Sequence, residues 1–257
     1  MRSVVPPAVV LFDLDDTLFA HRGAVADGIR AHLDSLGGTY ADADPRAALA
    51  LWDDLEERHY HAYLAGSLDF AGQRRERARD FAAAHGVTLS GPAAAAWFEA
   101  YFVHYRASWS LHPDALPCLD ALAVAFPGVR IGLITNGEST PQGHKLADTG
   151  LSGRLEHVVA SGSLGFAKPD PRIFRHACSV FGSAPERTVY VGDRLRTDAI
   201  GAAAAGLTGV WLDRTEAAAG PDTAEAARLG VIRITGLAAL PAALVARSHS
   251  PLPSPTT

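Results

Sequence analysis

Four short stretches carry residue types that could do chemistry together. "DLDDT" places Asp13, Asp15, Asp16 and Thr17 directly after the apolar run Val9 to Phe12. "ITNG" places Thr135, Asn136 and Gly137 after a second apolar run, 129–134. Lys168 sits before Pro169, and "VGDRLRTD" supplies Asp193 and Asp198. Gathering carboxylates at strand ends costs electrostatic energy. A hard divalent cation that takes oxygen ligands, Mg2+ above all, offsets that cost. Lys168, Thr135 and backbone N–H groups are donors suited to an anion held beside such a cation. Any one stretch alone is ordinary turn or cap chemistry. Their joint occurrence, each at the end of an expected strand, points to one site.

The elements that must position these residues follow from hydrophobic periodicity. β-Branched or apolar runs predict strands at 9–13, 129–135, 157–161, 188–193 and 209–212. Helical patterns lie between them at 113–125, 142–149, 170–181 and 197–205. Such alternation predicts right-handed βαβ units and a parallel sheet covered on both faces. In open sheets of this kind ligands bind beyond the carboxyl ends of the strands, where all four stretches fall. Between the first and second strands the pattern is helical throughout. Val25, Ile29, Leu33 and Leu36 mark one helix, stopped by Gly37 and Gly38. Asp44-Pro45 opens a second helix carrying Leu49, Trp52 and Leu55, 70–85 forms a third, and Gly91-Pro92 opens a fourth. The expectation is an α/β fold, a Rossmann-like three-layer α/β/α core over 1–19 and 108–245, with an α-helical bundle inserted at 20–107. The Pro/Ser-rich segment 246–257 reads as a disordered tail.

Composition narrows the classes of function. The chain has 257 residues, 48% hydrophobic and 20% charged, with a formal net charge of −5. That charge offers no general attraction for a nucleic-acid polymer or an anionic membrane, so an anionic substrate must be drawn by a local site. No apolar stretch is long enough to span a bilayer, and Asp13 interrupts the one early apolar run that could serve a signal peptide. Cys118 and Cys178 have neither zinc spacing nor a disulfide framework, which fits a reducing cytoplasm.

From Val9 to about Leu240 the chain resembles the haloacid dehalogenase-like superfamily of phosphotransferases. The resemblance is carried by "DLDDT", "LITNG", "AKPDPRIF" and "VGDRLRTD" in that order. It implies a nucleophilic Asp13, an acid/base Asp15 and a Lys168 that stabilises transferring phosphate. It also implies phosphate contacts from Thr135 and Asn136, and Mg2+ held by Asp13, Asp193 and the backbone carbonyl of Asp15, with Asp198 in support. The inserted bundle resembles the cap placed there in one subclass, which would exclude water and select the substrate. Within that subclass "FDLDDTLF" and "ITNGES" look most like nucleoside monophosphate and acylneuraminate-phosphate phosphatases. The reaction implied is hydrolysis of a small phosphorylated metabolite through a phosphoaspartate, by a monomer or homodimer.

At a reference pKa of about 3.9, Asp13 is expected to be ionised unaided. Carboxylate crowding is expected to keep a proton on Asp15. Phe19 and His21, just after the first motif, are candidates for substrate selection by position. Arg74, Arg75, Arg77 and Arg79 are expected on a solvated helix face. His59 and His61, two residues apart, do not share a helix face and are not expected to pair on a metal. The rivals are a sugar-phosphate mutase or a dehalogenase of the same fold, and a phosphate-binding or receiver-like signalling protein. The acid at Asp15 argues against the dehalogenase, and the bundle after the first strand against the receiver.

Overall fold

The structure is a computed structural model that describes residues 6–40, 42–216 and 220–249. The chain divides into two compact units, Met1–Ala20 with Ser110–Thr257, and His21–Trp109. The first unit holds a sheet of six strands: β1 (Val9–Phe12), β2 (Arg130–Thr135), β3 (His157–Ala160), β4 (Thr188–Gly192), β5 (Thr208–Leu212) and β6 (Ile232–Ile234). Their order is β3-β2-β1-β4-β5-β6 and every pairing is parallel. Numbered along the chain, helices α1 (His21–Leu36), α2 (Pro45–Leu64), α3 (Phe70–Ala84) and α4 (Gly91–Ala107) belong to the second unit. The first unit carries α5 (Ala115–Ala125), α6 (Ser139–Asp148), α7 (Pro171–Val180), α8 (Gly201–Ala204), α9 (Pro221–Arg228) and α10 (Leu240–His249). This is a Rossmann-like α/β core and a separate helical unit.

β1 and β4 are neighbours at the middle of the sheet, and all nine of their residues are buried. Val9, Leu11, Ile134, Phe174, Phe181 and Tyr190 meet in one apolar cluster on one face. Burying a large apolar side chain contributes about 1.5–3 kcal/mol, so these uninterrupted apolar runs make the central strands the firmest part of the unit. Two expectations change here. Ile232–Ile234 adds a sixth strand at the edge, and α10 runs to His249, so Ala246–His249 are helical instead of disordered. The rest of the expected tail lies outside the described residues.

The helical unit shows clear local causes. Asp44, Asp69 and Ser90 each accept a hydrogen bond from a backbone N–H at the start of α2, α3 and α4. Pro45 and Pro92 occupy first-turn positions where a missing N–H costs nothing. Trp52 packs against Tyr101 (4.7 Å between ring centroids), Phe81 (5.2 Å) and Trp97 (5.4 Å). The expected solvated arginine face is only half present. Arg77 is 4% exposed. Its guanidinium lies 3.8 Å from the Trp52 ring centroid and donates to Glu56 Oε2 at 2.9 Å. A desolvated cation–π contact contributes about 2 kcal/mol and, together with the Glu56 pair, offsets the cost of burying this charge. Arg74 lies over Phe70, Phe98 and Phe102. His59 bonds Asp80 and His61 bonds Glu57, so the two imidazoles face different partners.

His32 on α1 is 1% exposed, edge-on to Trp97 at 4.4 Å, and neither ring nitrogen has a hydrogen-bond partner among the described residues. Burial, and then the nearby His104, pull its pKa down to about 4. An unfolded histidine titrates near 6.5. The folded value is the lower one, so the neutral ring favours folding fully above pH ~6.5. That contribution, roughly 3 kcal/mol, is lost as pH falls from ~6.5 towards 4. Thermal melts between pH 7 and pH 4 should show the wild-type chain losing stability faster than His32→Leu; parallel losses would contradict this account.

Candidate active site

The first-motif loop is built by its own backbone. Asp13 N–H donates to Val191 O at 2.8 Å and extends the β1–β4 ladder by one residue. Leu14 O then accepts from Leu18 N (3.0 Å) and Phe19 N (2.9 Å), and Asp16 N–H donates to Phe19 O at 2.7 Å. Asp16 sits at φ 61°, a left-handed conformation that Asp tolerates better than most residues. The third carboxylate of the motif is therefore a turn residue. Arg214, after β5, ties this loop down from outside. It donates to Thr17 O at 3.0 Å and grips Asp114 with two bonds of 2.9 and 3.0 Å.

Lys168 is the hub of the site. It is 6% exposed, and its ammonium donates to Asp13 Oδ1 (2.6 Å), Tyr190 Oη (2.7 Å) and Asp198 Oδ1 (2.8 Å). An ammonium has three protons, so these bonds satisfy it. Burial alone would strip the lysine's charge, but Asp13 and then Asp198 override it and hold the pKa above its ordinary value. Burial pushes the Asp13 carboxyl up. Lys168 opposes that shift, while Asp198 and Asp193 add to it, and the balance leaves Asp13 above the ordinary carboxylate range. The expectation of an unaided, ionised Asp13 is thus corrected: the site needs more positive charge than Lys168 alone supplies. Burial and the same carboxylates raise Tyr190, which stays a neutral phenol.

Carboxylate oxygens of Asp13, Asp193 and Asp198 all lie within 4.8 Å of one another. An all-oxygen set of this kind, with its Asp13 carboxyl pushed up by burial and then by its acidic neighbours, fits a hard divalent cation. Asp198 lies on a π-helical turn, Leu195–Ile200, where an α-helix from 197 was expected. Its second oxygen accepts from Arg194 N–H at 3.0 Å. Such turns recur at functional sites because the extra residue re-aims a side chain.

The remaining expected residues divide. Asn136 follows the end of β2. Its amide clasps the Lys168 backbone, donating to Lys168 O (2.9 Å) and accepting from Lys168 N–H (2.7 Å). Thr135 Oγ1 accepts from Gly137 N–H (3.3 Å) and Gln142 Nε2 (3.1 Å). The Asp15 carboxylate is not in the acidic group. Its Oδ1 accepts from Lys145 Nζ at 2.6 Å and its Oδ2 from Gln142 Nε2 at 3.3 Å. It faces an ammonium instead of the crowd of carboxylates that was expected. Phe19 is fully buried, with Lys145 Nζ 4.7 Å from its ring centroid, so it lies under the acid's partner as packing. His21 opens α1, where it shares a 2.9 Å hydrogen bond with Tyr105 Oη and lies 3.4 Å from Glu56. Sequence reasoning missed Lys145, Gln142, Tyr190, Arg214 and Asp114. The three-residue spacing of Gln142 and Lys145 on one helix face was the available signal.

The comparisons with known proteins agree with this core. Residues 7–206 match the family described as haloacid dehalogenase-like hydrolase. The chain belongs to that family. It is 35% identical over 192 residues to a phosphoserine phosphatase of Thermus thermophilus, covering 74% of this chain and 68% of that one. It is 30% identical over 218 residues to a glyceraldehyde 3-phosphate phosphatase of Methanopyrus kandleri, covering 80% and 83%. Among these relatives the chain is an enzyme of the phosphatase kind. The solved structure of the HAD-hydrolase YfnB from Bacillus subtilis, bound to magnesium, superimposes with a TM-score of 0.76 at 20% identity. That match covers 94% of this chain and 100% of the other, and it shows the shared fold.

Close packing makes the acidic group sensitive to one glycine. A Cβ on Gly192 would overlap the side chain of Asp198. Gly192→Ala is therefore expected to lower activity on the order of 100-fold, because small displacements of reacting groups are that costly. It should also destabilise the fold by about 1–3 kcal/mol through overpacking. Steady-state rates and urea denaturation check both; an alanine variant with wild-type rate would contradict the packing argument.

Proposed function

We propose that this hydrolase is a Mg2+-dependent phosphatase that cleaves a small phosphomonoester through a phosphoaspartate on Asp13. The observation that carries the reading is the convergence of Asp13, Lys168, Asp193 and Asp198 at the ends of the central strands. Asp13, Asp193 and the backbone carbonyl of Asp15 would hold the cation, with Asp198, whose oxygens accept from Lys168 and Arg194 N–H, in support. When bound, Mg2+ supplies the positive charge that lets a carboxylate and a phosphate dianion approach each other.

The residues of the chain then have distinct tasks. A carboxylate oxygen of Asp13 attacks phosphorus, and the bond from phosphorus to the ester oxygen breaks. Asp15 gives a proton to that departing oxygen, and it must take that proton up against the Lys145 ammonium, which favours the ionised carboxylate. Lys168 exchanges one of its three bonds, to Asp13, Tyr190 or Asp198, for a phosphoryl oxygen as charge rearranges there. Thr135 Oγ1 accepts two bonds already, which leaves its own proton for a phosphoryl oxygen. Asn136 acts at one remove, by fixing the Lys168 backbone. In the second step water attacks the phosphorus of the phosphoaspartate. Asp15 takes the proton of that water, and Asp13 is released.

The substrate class is a compact phosphomonoester, with a nucleoside monophosphate or sugar phosphate as the first choices. The relatives named above act on other small monoesters, phosphoserine and glyceraldehyde 3-phosphate, and they widen the panel worth assaying. A mutase is the second reading of the same core. No helix among the described residues is long and apolar enough to cross a membrane. Both cysteines are free and buried, which is compatible with work in the cytoplasm.

Phosphate release from a panel of nucleotides, sugar phosphates and phosphoamino acids tests the reading. Activity should vanish in excess EDTA and return with Mg2+; full turnover in chelator would remove the cation's role. Asp13→Asn should abolish turnover while the far-ultraviolet circular dichroism stays wild-type. A variant at wild-type rate would end the nucleophile assignment.

A further inference from the structure

Besides the buried Lys168, the core unit has a second buried ammonium, and it serves the other catalytic carboxylate. Lys145 is 7% exposed and lies in α6, where a solvated lysine would be the ordinary finding. Its Nζ donates to Asp15 Oδ1 at 2.6 Å, over the face of Phe19. Gln142, one turn earlier, is equally buried and donates to Asp15 Oδ2 at 3.3 Å and to Thr135 Oγ1 at 3.1 Å. Both oxygens of Asp15 are thus held from one helix face. Gln142 is itself wedged in place, since a Cβ on Gly137 would overlap its amide. Asp13 accepts from Lys168, and Asp15 accepts from Lys145 and Gln142, so each of the two carboxylates has its own buried ammonium.

We propose that Lys145, assisted by Gln142, is the positioning residue for Asp15 and acts on the departure of the leaving group. This rests on the phosphatase reading above, in which Asp15 protonates the ester oxygen. A buried lysine that fixes the rotamer of the acid controls whether that proton can reach the departing oxygen. It has no part in the attack of Asp13 on phosphorus, which Lys168 serves. Its effect must therefore depend on how badly the leaving group needs a proton. An alkyl oxygen needs one; a nitrophenolate hardly does. The first irreversible step, reported by kcat/KM, should show this difference. Release of phosphate from Asp13, where Asp15 handles the proton of water, is common to every substrate and should not.

The experiment compares an alkyl phosphomonoester from the active panel with p-nitrophenyl phosphate, in the full chain with Mg2+. For Lys145→Met, kcat/KM on the alkyl ester should fall about 100-fold, the usual scale of general acid assistance. On the aryl ester it should fall only a few-fold. Lys145→Arg, which keeps a cationic donor, should recover a large part of the alkyl activity. In an Asp15→Asn background, Lys145→Met should cost nothing further on the alkyl ester, because its effect passes through Asp15. If Lys145→Met does not fold, Lys145→Gln must show the same selective loss. Equal losses on both esters, no loss on the alkyl ester, or an additional loss in the Asp15→Asn background would each overturn the role of Lys145 while leaving the phosphatase reading intact. A wild-type chain inert on both esters removes that reading and this inference with it.

Discussion

One buried ammonium holds the core site together. Lys168 gives its three protons to three oxygens that come from the end of β1, from β4 and from the π-helical turn. Taking an ammonium out of water costs several kcal/mol, and only full hydrogen bonding with opposite charge nearby offsets it. The carboxylates have the mirror problem, since each raises the cost of the others. Lysine and acids therefore depend on one another, and removing one member of such a group typically costs about 3–5 kcal/mol. Even so, one cation facing Asp13, Asp193 and Asp198 leaves an excess of negative charge. Burial first, and then Asp198 and Asp193 against the pull of Lys168, hold the Asp13 carboxyl above the ordinary carboxylate range. The proposed Mg2+ answers the same imbalance, so the electrostatics of the residues and the chemistry proposed for them have one origin.

The rest of the first unit can be understood as what makes that arrangement possible. Strand order β3-β2-β1-β4-β5-β6 puts β1 between β2 and β4, so residues far apart in the chain end beside one another. Asn136, at the end of β2, reaches across to fix the Lys168 backbone. Arg214 and Asp114 hold the first-motif loop from a third direction. None of these residues needs to touch a substrate to matter. They fix the angle from which the reactive groups work, as second-layer partners do in metal sites.

Much of this was readable from residue order alone. The buried strands announce themselves as short β-branched runs, and each expected polar residue follows one of them. β6 escaped because it is three residues long at an edge, with Arg233 breaking the apolar run. What pattern could not convey was direction. The Asn136 side-chain amide turns onto the Lys168 backbone, which its place after β2 does not reveal. Asp15 looks like one more member of an acidic crowd, yet it turns onto Lys145. Phe19 looks like a specificity residue, yet it is packing. Arg77 belongs with its neighbouring arginines by sequence, yet it stacks on Trp52 because that aromatic comes from another helix. In each case a tertiary partner decides the role, and neither periodicity nor composition encodes which partner arrives.

The central claim is that Asp13 becomes covalently phosphorylated during turnover. Mixing the enzyme with substrate and Mg2+, quenching in acid within the first turnover, and reading the peptide containing Asp13 by mass spectrometry tests it directly. The account predicts a phosphoryl group on Asp13, sensitive to hydroxylamine as an acyl phosphate is, appearing and decaying fast enough to support steady-state turnover. A phosphoryl group on another residue, or turnover at full rate with the Asp13 peptide unmodified at every quench time, would contradict it.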